Sequence, residues 1–152
     1  MIYGILYLLS IVAANLAVAY FGLLEIGPVV VPAGAFFVGM TFTLRDSVQQ
    51  EYGKAHCWWW TIGATLLSIA FSPAVAFASA AAFLGAEAVD WAVFTYTKGS
   101  PRKRATVSNI FGIPLDSLIF VPLVFGWVWP AIIGQAIVKF ISSLIIIGVV
   151  KR

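Results

Sequence analysis

The sequence predicts an all-α membrane protein with six transmembrane helices, and three observations support this fold class. Hydrophobic residues make up 62% of the 152 residues and charged residues only 10%, whereas soluble domains carry about 25% charged residues. The mean hydropathy is +1.01. Apolar stretches such as Leu144 to Val150 lack the alternating pattern of transmembrane β-strands. At about 20 residues per crossing, the chain accommodates six helices in a single domain, 1–152, with no separate soluble domain.

Charges, prolines and turn residues separate the apolar segments that we predict to be helices. The six segments are 2–24, 28–44, 57–72, 74–97, 105–126 and 130–150. The first segment has no basic region before it, so we interpret it as a spanning helix rather than a cleavable signal peptide. The six helices are expected to form two halves of three.

Basic residues predict the orientation in the membrane. Six crossings place both termini and the loops after the second and fourth helices on one side. Eight of the nine Lys and Arg residues are predicted to lie on that side: Arg45, Lys54, Lys98, Arg102, Lys103, Arg104, Lys151 and Arg152. Because cytoplasmic loops are rich in Lys and Arg, we expect cytoplasmic termini in a multi-pass protein of the cytoplasmic (inner) membrane. The pattern is not that of a nucleic-acid-binding surface.

Polar side chains inside the predicted helices are the candidate functional residues, because buried charge in a membrane needs a partner or a role. With a rise of about 1.5 Å per residue, four of them are predicted to lie within about 3 Å of the bilayer midplane: Asn15, Glu87, Asp116 and Lys139. Asp90 shares a helix face with Glu87, and Gln135 shares one with Lys139. We expect these faces to meet in one cavity.

The predicted cluster holds three carboxylates, Glu87, Asp90 and Asp116, against the single lysine Lys139. Polar contacts do join helices in purely structural bundles, but such a bundle rarely needs a surplus of carboxylates. Either one carboxyl group is protonated, as desolvation favours, or a cation or a donor-rich ligand completes the site. Both alternatives favour a transporter over a scaffold.

Prolines and glycines predict irregular backbone in two of the helices. Pro32 and Gly34 are expected to interrupt the second helix, and Gly112, Pro114 and Pro122 the fifth. Broken helices are tolerated in a membrane only beside protein or a cavity, and these two helices are the middle members of the two halves, as in inverted repeats. Kinks that merely aid packing are the alternative.

A charged segment after the second helix is predicted to form a cytoplasmic loop. Arg45 and Asp46 stand at the expected helix end, where they can act as a gating pair; a solvated loop is the alternative. His56 and Cys57 lack the further ligands that a metal site requires. We therefore expect neither a metal nor a cofactor.

A series of short polar motifs runs through nearly the whole chain. In order these are Ala14-Asn15, Pro32-Ala33-Gly34, Thr41 to Asp46, Glu51-Tyr52-Gly53, Ala78-Ser79, Ala82-Phe83, Glu87, Asp90-Trp91, Ser108-Asn109, Pro114 to Ser117, Phe120, Gly134-Gln135 and Lys139. With these motifs in this order, the chain resembles the queuosine precursor transporters, a family also described as vitamin uptake transporters. Typical members of that family are longer, so this chain resembles a short version of it.

The resemblance implies import of 7-cyano-7-deazaguanine or 7-aminomethyl-7-deazaguanine across the cytoplasmic membrane. A carboxylate can accept two N–H groups from the guanine-type edge of such a ligand, a role for Glu87, Asp90 or Asp116. Gln135 or Asn15 can then meet the ligand carbonyl. The aromatic residues expected to stack on the base are Phe83, Trp91 and Phe120.

The resemblance also implies roles for residues that do not contact the ligand edge or its ring face. Lys139 can hold a remaining carboxylate in its charged form. A gating or structural role is implied for Pro32, Gly34, Arg45, Asp46, Asn109 and Pro114.

The leading prediction is a secondary transporter that works by alternating access. The closest alternative is the substrate-binding membrane subunit of an energy-coupling-factor importer. The chain has no GxxxxGK[ST] motif for ATP binding, so this alternative requires separate energising subunits. An intramembrane enzyme is not expected, because no nucleophile and base pair accompanies the carboxylates. A channel would need a continuous wet pore. The expected partners are a small deazapurine, the lipid bilayer and, for so short a chain, a second copy in a homo-oligomer.

Overall fold

The computed structural model shows six α-helices and one short β-hairpin in the described part of the chain. The structure describes the backbone of residues 1–149 and the side chains in that range other than those of residues 54, 90, 91, 94, 95, 101, 102, 105 and 147–149. The elements are α1 (Ile2–Phe21), β1 (Leu23–Ile26), β2 (Val29–Pro32), α2 (Ala35–Tyr52), α3 (Lys54–Ile69), α4 (Pro73–Tyr96), α5 (Pro101–Phe125) and α6 (Trp129–Val149). The predicted all-α class is confirmed.

Three of these helices are long and apolar enough to cross a membrane. They are α1, the stretch Thr106–Phe125 of α5 and the stretch Trp129–Ile146 of α6. The apolar stretch of α4, Pro73–Val89, is shorter, and α2 includes several charged residues at its C-terminal end. Crossing of the membrane by all six helices therefore stays a prediction.

The hairpin between α1 and α2 corrects the predicted boundaries of the first two helices. The sequence predicts a helix over 28–44, whereas the chain turns at Gly27, whose φ of 61° suits the first position of a two-residue hairpin turn. The β-branched run Val29–Val31 then pairs antiparallel with β1. The second helix begins only at Ala35, so Pro32 and Gly34 precede it rather than interrupt it.

The predicted charged loop after the second helix is wrong. Helix α2 continues through Arg45 and Asp46 to Tyr52, and α3 begins at Lys54 after the single residue Gly53, whose φ is 86°. The turn is so short because glycine adopts this left-handed conformation without strain. As a result Arg45 lies inside a helix and is buried, and it does not contribute to a cytoplasmic loop.

The predicted interruption of the fifth helix is also wrong, because α5 is continuous from Pro101 to Phe125. Its interior contains both Pro114 and Pro122. Proline removes a backbone donor from a helix, yet membrane helices tolerate this where neighbouring groups satisfy the freed carbonyls. The N-terminus of α5 is capped by Ser100, whose hydroxyl accepts from the Lys103 backbone N–H at 3.3 Å.

Close helix packing brings α1, α2, α4, α5 and α6 around a common centre. Helix α4 packs along α5, while α6 contacts α2, α5 and strand β2. Glycines permit the closest approaches: a Cβ atom at Gly39 of α2 would lie 2.8 Å from the Lys139 carbonyl oxygen of α6. Small residues at such crossings let backbones approach in membrane bundles. The polar side chains of the candidate site project into this centre.

Candidate functional site

A buried ion pair joins α5 to α6 at the centre of the bundle. The Lys139 ammonium of α6 donates to the Asp116 carboxylate of α5, and both side chains are almost completely buried. Gln135, one turn before Lys139, donates from Nε2 to the same carboxylate oxygen at 3.5 Å. The Lys139 Nζ atom also lies 5.7 Å from the centre of the Phe120 ring, within the range of a cation–π contact.

This ion pair lines a small cavity, which we call the Lys139 cavity. Its polar lining comprises Asn15, Ser79, Asp116, Gln135 and Lys139, and Phe120, Pro32 and Gly34 complete its wall. Its volume is about 30 Å³, enough for water. The sequence predicts one cavity shared by Asn15, Glu87, Asp90, Asp116, Gln135 and Lys139. The structure places Asn15, Asp116, Gln135 and Lys139 on this cavity, whereas Glu87 does not line it.

A second charged cluster is centred on Arg45 of α2. Its guanidinium donates to Glu87 of α4 at 3.0 Å and to Asp46 at 2.7 Å. Arg45 is only 1% exposed, and its guanidinium carbon lies 5.5 Å from the centre of the Phe42 ring. A buried arginine held by two carboxylates links α2 firmly to α4, because the planar guanidinium can donate in several directions at once.

The Arg45 cluster borders a second cavity, the Arg45 cavity, with a volume of about 40 Å³. The polar groups of its lining are Thr41, Arg45, Thr61, Thr65, Ser79 and Asp116, and Phe42 and Phe83 add aromatic surface. Asp116 and Ser79 line both cavities, as do the apolar residues Ala14 and Val38. The two cavities therefore adjoin, and Asp116 stands in the wall between them.

The charges in these clusters differ from the predicted cluster, because Arg45 is buried in α2 and does not lie in a loop. Glu87 pairs with Arg45, and Asp116 pairs with Lys139. Arg45 thus adds a second positive charge to the site, and Asp46, which shares its guanidinium with Glu87, adds a further carboxylate.

Ser79 is a functional candidate that the sequence singles out only as part of the Ala78-Ser79 motif, without a role of its own. It lines both cavities, and Phe83 lines the Arg45 cavity. Ser79, Phe83 and Glu87 follow one another at intervals of four along α4, so they form a stripe on one helix face. That spacing from Glu87 was the signal in the sequence that could have found Ser79.

Other predicted site residues lie away from the two cavities. Asn109 donates from Nδ2 to the Ser143 hydroxyl at 2.6 Å, between α5 and α6. Pro114 lines an apolar groove together with Ile110, Ile137 and Phe140. The side chains of Asp90 and Trp91 lie outside the described residues, although both positions fall within α4. The roles predicted for them stay predictions.

Hydroxyl and amide contacts hold the remaining helices of the site in place. Asn15 of α1 donates to the Ser68 hydroxyl of α3 at 2.9 Å. Tyr7 and Thr61 share a hydrogen bond of 2.8 Å, and Ser10 and Thr41 one of 3.0 Å. Such contacts satisfy buried polar groups where no water can do so. They connect α1 to both α2 and α3 beside the cavities.

Together these features define a helical membrane protein with adjoining polar cavities enclosed between its helices. Ionisable residues at such positions typically mark a pathway for a substrate or an ion. Residues 58–151 match the model of a family described as "Putative vitamin uptake transporter". Because the match covers more than half of the chain, the chain belongs to this transporter family. The chain has no significant match among curated proteins or solved structures.

Proposed function

We propose that this chain imports a queuosine precursor, 7-cyano-7-deazaguanine or 7-aminomethyl-7-deazaguanine, as a secondary transporter in the cytoplasmic membrane. The observation that carries the proposal is the position of Asp116 in the wall shared by the two cavities. A carboxylate at that point contacts a ligand on either side of it. The choice of a deazapurine as substrate rests on the sequence resemblance.

The lining of the cavities suits a flat polar ligand. Asp116 and Gln135 supply oxygen atoms, Lys139 supplies a donor, and Phe83 and Phe120 supply aromatic faces. Bases are recognised by hydrogen bonds along an edge together with stacking on aromatic rings. This combination supports a base-like substrate over a purely apolar one.

The two ion pairs support a mechanism with alternating conformations. One pair links α2 to α4 and the other links α5 to α6, so a movement of either helix relative to its partner has to separate a buried ion pair. Helix movement around a fixed central site is the usual basis of alternating access.

The Arg45 cluster is our candidate for a cytoplasmic gate. If both termini face the cytoplasm, α2 runs inward, and Arg45 and Asp46 lie in its C-terminal half. A substrate leaving the Arg45 cavity toward the cytoplasm would then have to separate Arg45 from Glu87. The guanidinium can keep Asp46 as its partner during this step, so it need not lose every contact at once.

Binding of 7-cyano-7-deazaguanine to detergent-purified protein is the first test, by calorimetry, with guanine and biotin as controls. The proposal expects saturable binding of the deazaguanine and much weaker binding of biotin. Uptake is then measured in a bacterial strain that cannot make queuosine precursors. Folded protein that binds none of the deazaguanines would refute the proposed substrate.

Reconstitution into proteoliposomes tests whether the chain works alone. A secondary transporter exchanges radiolabelled 7-cyano-7-deazaguanine against the unlabelled compound without added proteins. Binding without exchange, together with co-purification of ATPase and coupling subunits, would instead identify the chain as the substrate-binding subunit of an energy-coupling-factor importer.

A further inference from the structure

The side-chain amide of Gln135 uses its NH₂ group in a hydrogen bond, whereas its carbonyl oxygen has no partner among the described residues. The side chain is 1% exposed and lines the Lys139 cavity. Its Nε2 donates to Asp116, whereas its Oε1 has no hydrogen-bond partner. A buried acceptor in this state is costly, so it requires an explanation such as a ligand.

The chemistry of Asp116 settles which end of the Gln135 amide contacts the carboxylate. An ionised carboxylate only accepts hydrogen bonds, so the NH₂ end of Gln135 is the end that contacts it. The carbonyl oxygen is left to meet another donor. This reverses the expected role of Gln135, which was to donate to the carbonyl group of a ligand.

Three neighbouring side chains present two acceptors followed by one donor. The acceptors are the carbonyl oxygen of Gln135 and the carboxylate of Asp116, and the donor is the ammonium of Lys139. Asp116 is the common partner of the other two residues. Gln135 and Lys139 are four residues apart on α6, roughly 6 Å along its axis, a spacing comparable to the hydrogen-bonding edge of a base. Cytosine presents the same order of groups to guanine: two acceptors followed by one donor.

We infer that these three side chains read the guanine-type edge of the substrate as cytosine does. Gln135 Oε1 accepts from the exocyclic 2-amino group, Asp116 accepts from the ring N–H, and the Lys139 ammonium donates to the ring carbonyl oxygen. This inference rests on the proposed function and deepens it, because it makes the 2-amino group the feature that is selected. Lys139 and Asp116 separate as the base enters. Lys139 then contacts the ring carbonyl oxygen, and Asp116 contacts the ring N–H.

The test compares two ligands that differ only in the 2-amino group: 7-cyano-7-deazaguanine and 7-cyano-7-deazahypoxanthine. The wild-type protein is expected to bind the first about 10- to 100-fold more tightly, as a well-placed hydrogen bond to a base allows. In Gln135→Met, which keeps the length of the side chain but removes the amide, the two ligands should bind within about threefold of each other. Binding is measured by calorimetry on protein that elutes as a single folded species.

Asn109→Ala is the matched control. Asn109 also donates its NH₂ group to a neighbour and has a buried carbonyl oxygen with no partner among the described residues, but it lines neither cavity. The ratio of the two affinities is expected to stay at its wild-type value in this variant. A change as large as that in Gln135→Met would overturn the inference.

Further outcomes separate this inference from the proposed function. Equal binding of both ligands by the wild-type protein, or equal weakening of both in Gln135→Met, would overturn the inference and leave deazapurine transport standing. Binding of neither ligand by folded wild-type protein would refute both. If Gln135→Met does not fold, equal binding of both ligands by the wild-type protein still overturns the inference.

Discussion

Arg45 of α2 and Glu87 of α4 form an ion pair, with a separation of 3.0 Å between guanidinium nitrogen and carboxylate oxygen, that joins these two helices. The two residues are 42 positions apart in the chain. Their contact neutralises one of the carboxylates that the sequence places within the membrane. Arg45 also lines the cavity that Asp116 borders.

Glu87→Gln is expected to destabilise the protein, because it removes the counter-charge of a buried guanidinium. Loss of one member of a buried ion pair costs about 3–5 kcal/mol, and we expect the lower part of that range since Asp46 still contacts Arg45. The apparent Tm in detergent should fall by about 5–10 °C. A thermal-shift assay measures this change.

Asp46→Asn is the matched control for that substitution. Asp46 contacts the same guanidinium at 2.7 Å, but its side chain is 21% exposed. Partly solvated ion pairs contribute about 0–1 kcal/mol, so its Tm should change by much less. A larger loss in Asp46→Asn than in Glu87→Gln would show that Asp46 is the main partner of Arg45.

Lys139→Met and Asp116→Asn are each expected to abolish uptake of the deazapurine while leaving membrane insertion intact. Each substitution leaves the other member of the buried pair without its partner and changes a residue of the cavity lining. Uptake in a precursor-deficient strain and the amount of protein in the membrane fraction are measured in parallel. Lys98→Met, at an exposed position between α4 and α5, serves as the control.

Wild-type uptake in both variants would mean that the central pair has only a packing role. Loss of protein from the membrane fraction would instead show that the pair is required for folding. Full uptake by Lys98→Met verifies that removal of a lysine by itself has no effect on transport.

Gly134→Ala is expected to destabilise the contact between α6 and the hairpin. A Cβ atom at Gly134 would lie 2.2 Å from the carbonyl oxygen of Val30, so the backbone of β2 has to shift. Overpacking of this kind costs about 1–3 kcal/mol. The prediction is a lower Tm for Gly134→Ala in a thermal-shift assay.

Gly63→Ala in α3 is the control for this substitution, since the nearest atom to its added Cβ is Leu8 Cδ1 at 3.6 Å. Alanine is favoured over glycine inside a helix by about 0.5–1 kcal/mol, so its Tm should stay equal or rise. Equal losses in both variants would contradict the close contact between Gly134 and the hairpin.

Six crossings predict that the hairpin and the connection between α4 and α5 lie on opposite sides of the membrane. Cys57 is the only cysteine, so Cys57→Ser provides a cysteine-free background. Glu25→Cys in the hairpin should react with a membrane-impermeant maleimide on intact cells. Lys98→Cys should react only after the cells are permeabilised.

The labelling pattern distinguishes the alternatives for the number of crossings. Reaction of both positions on intact cells would place them on the same side and contradict the six-helix topology. A Cys57→Ser chain without an added cysteine shows the background labelling.

The sequence was sufficient to predict the all-α class and to select Asn15, Asp116, Gln135 and Lys139 as residues near one another. Helical periodicity places Gln135 and Lys139 on one face, and the cost of buried charge makes each ionisable residue in an apolar segment conspicuous. The hairpin escaped prediction because the run around Val29 is as apolar as a helix. Its β-branched residues and the turn glycine were weaker signals than its hydropathy.

Hydropathy and spacing by themselves determined that this chain is a helical membrane protein with polar residues in its interior, because both depend only on local order along the chain. The partners of those residues were decided by tertiary structure. Arg45 lies inside a helix because α2 continues to Gly53, where the chain turns directly into α3, and the assembled bundle brings its guanidinium to Glu87 of α4. Likewise, Asp116 lines two cavities whose walls together come from all six helices. Such long-range contacts depend on which helix faces pack together, and no local pattern encodes that choice.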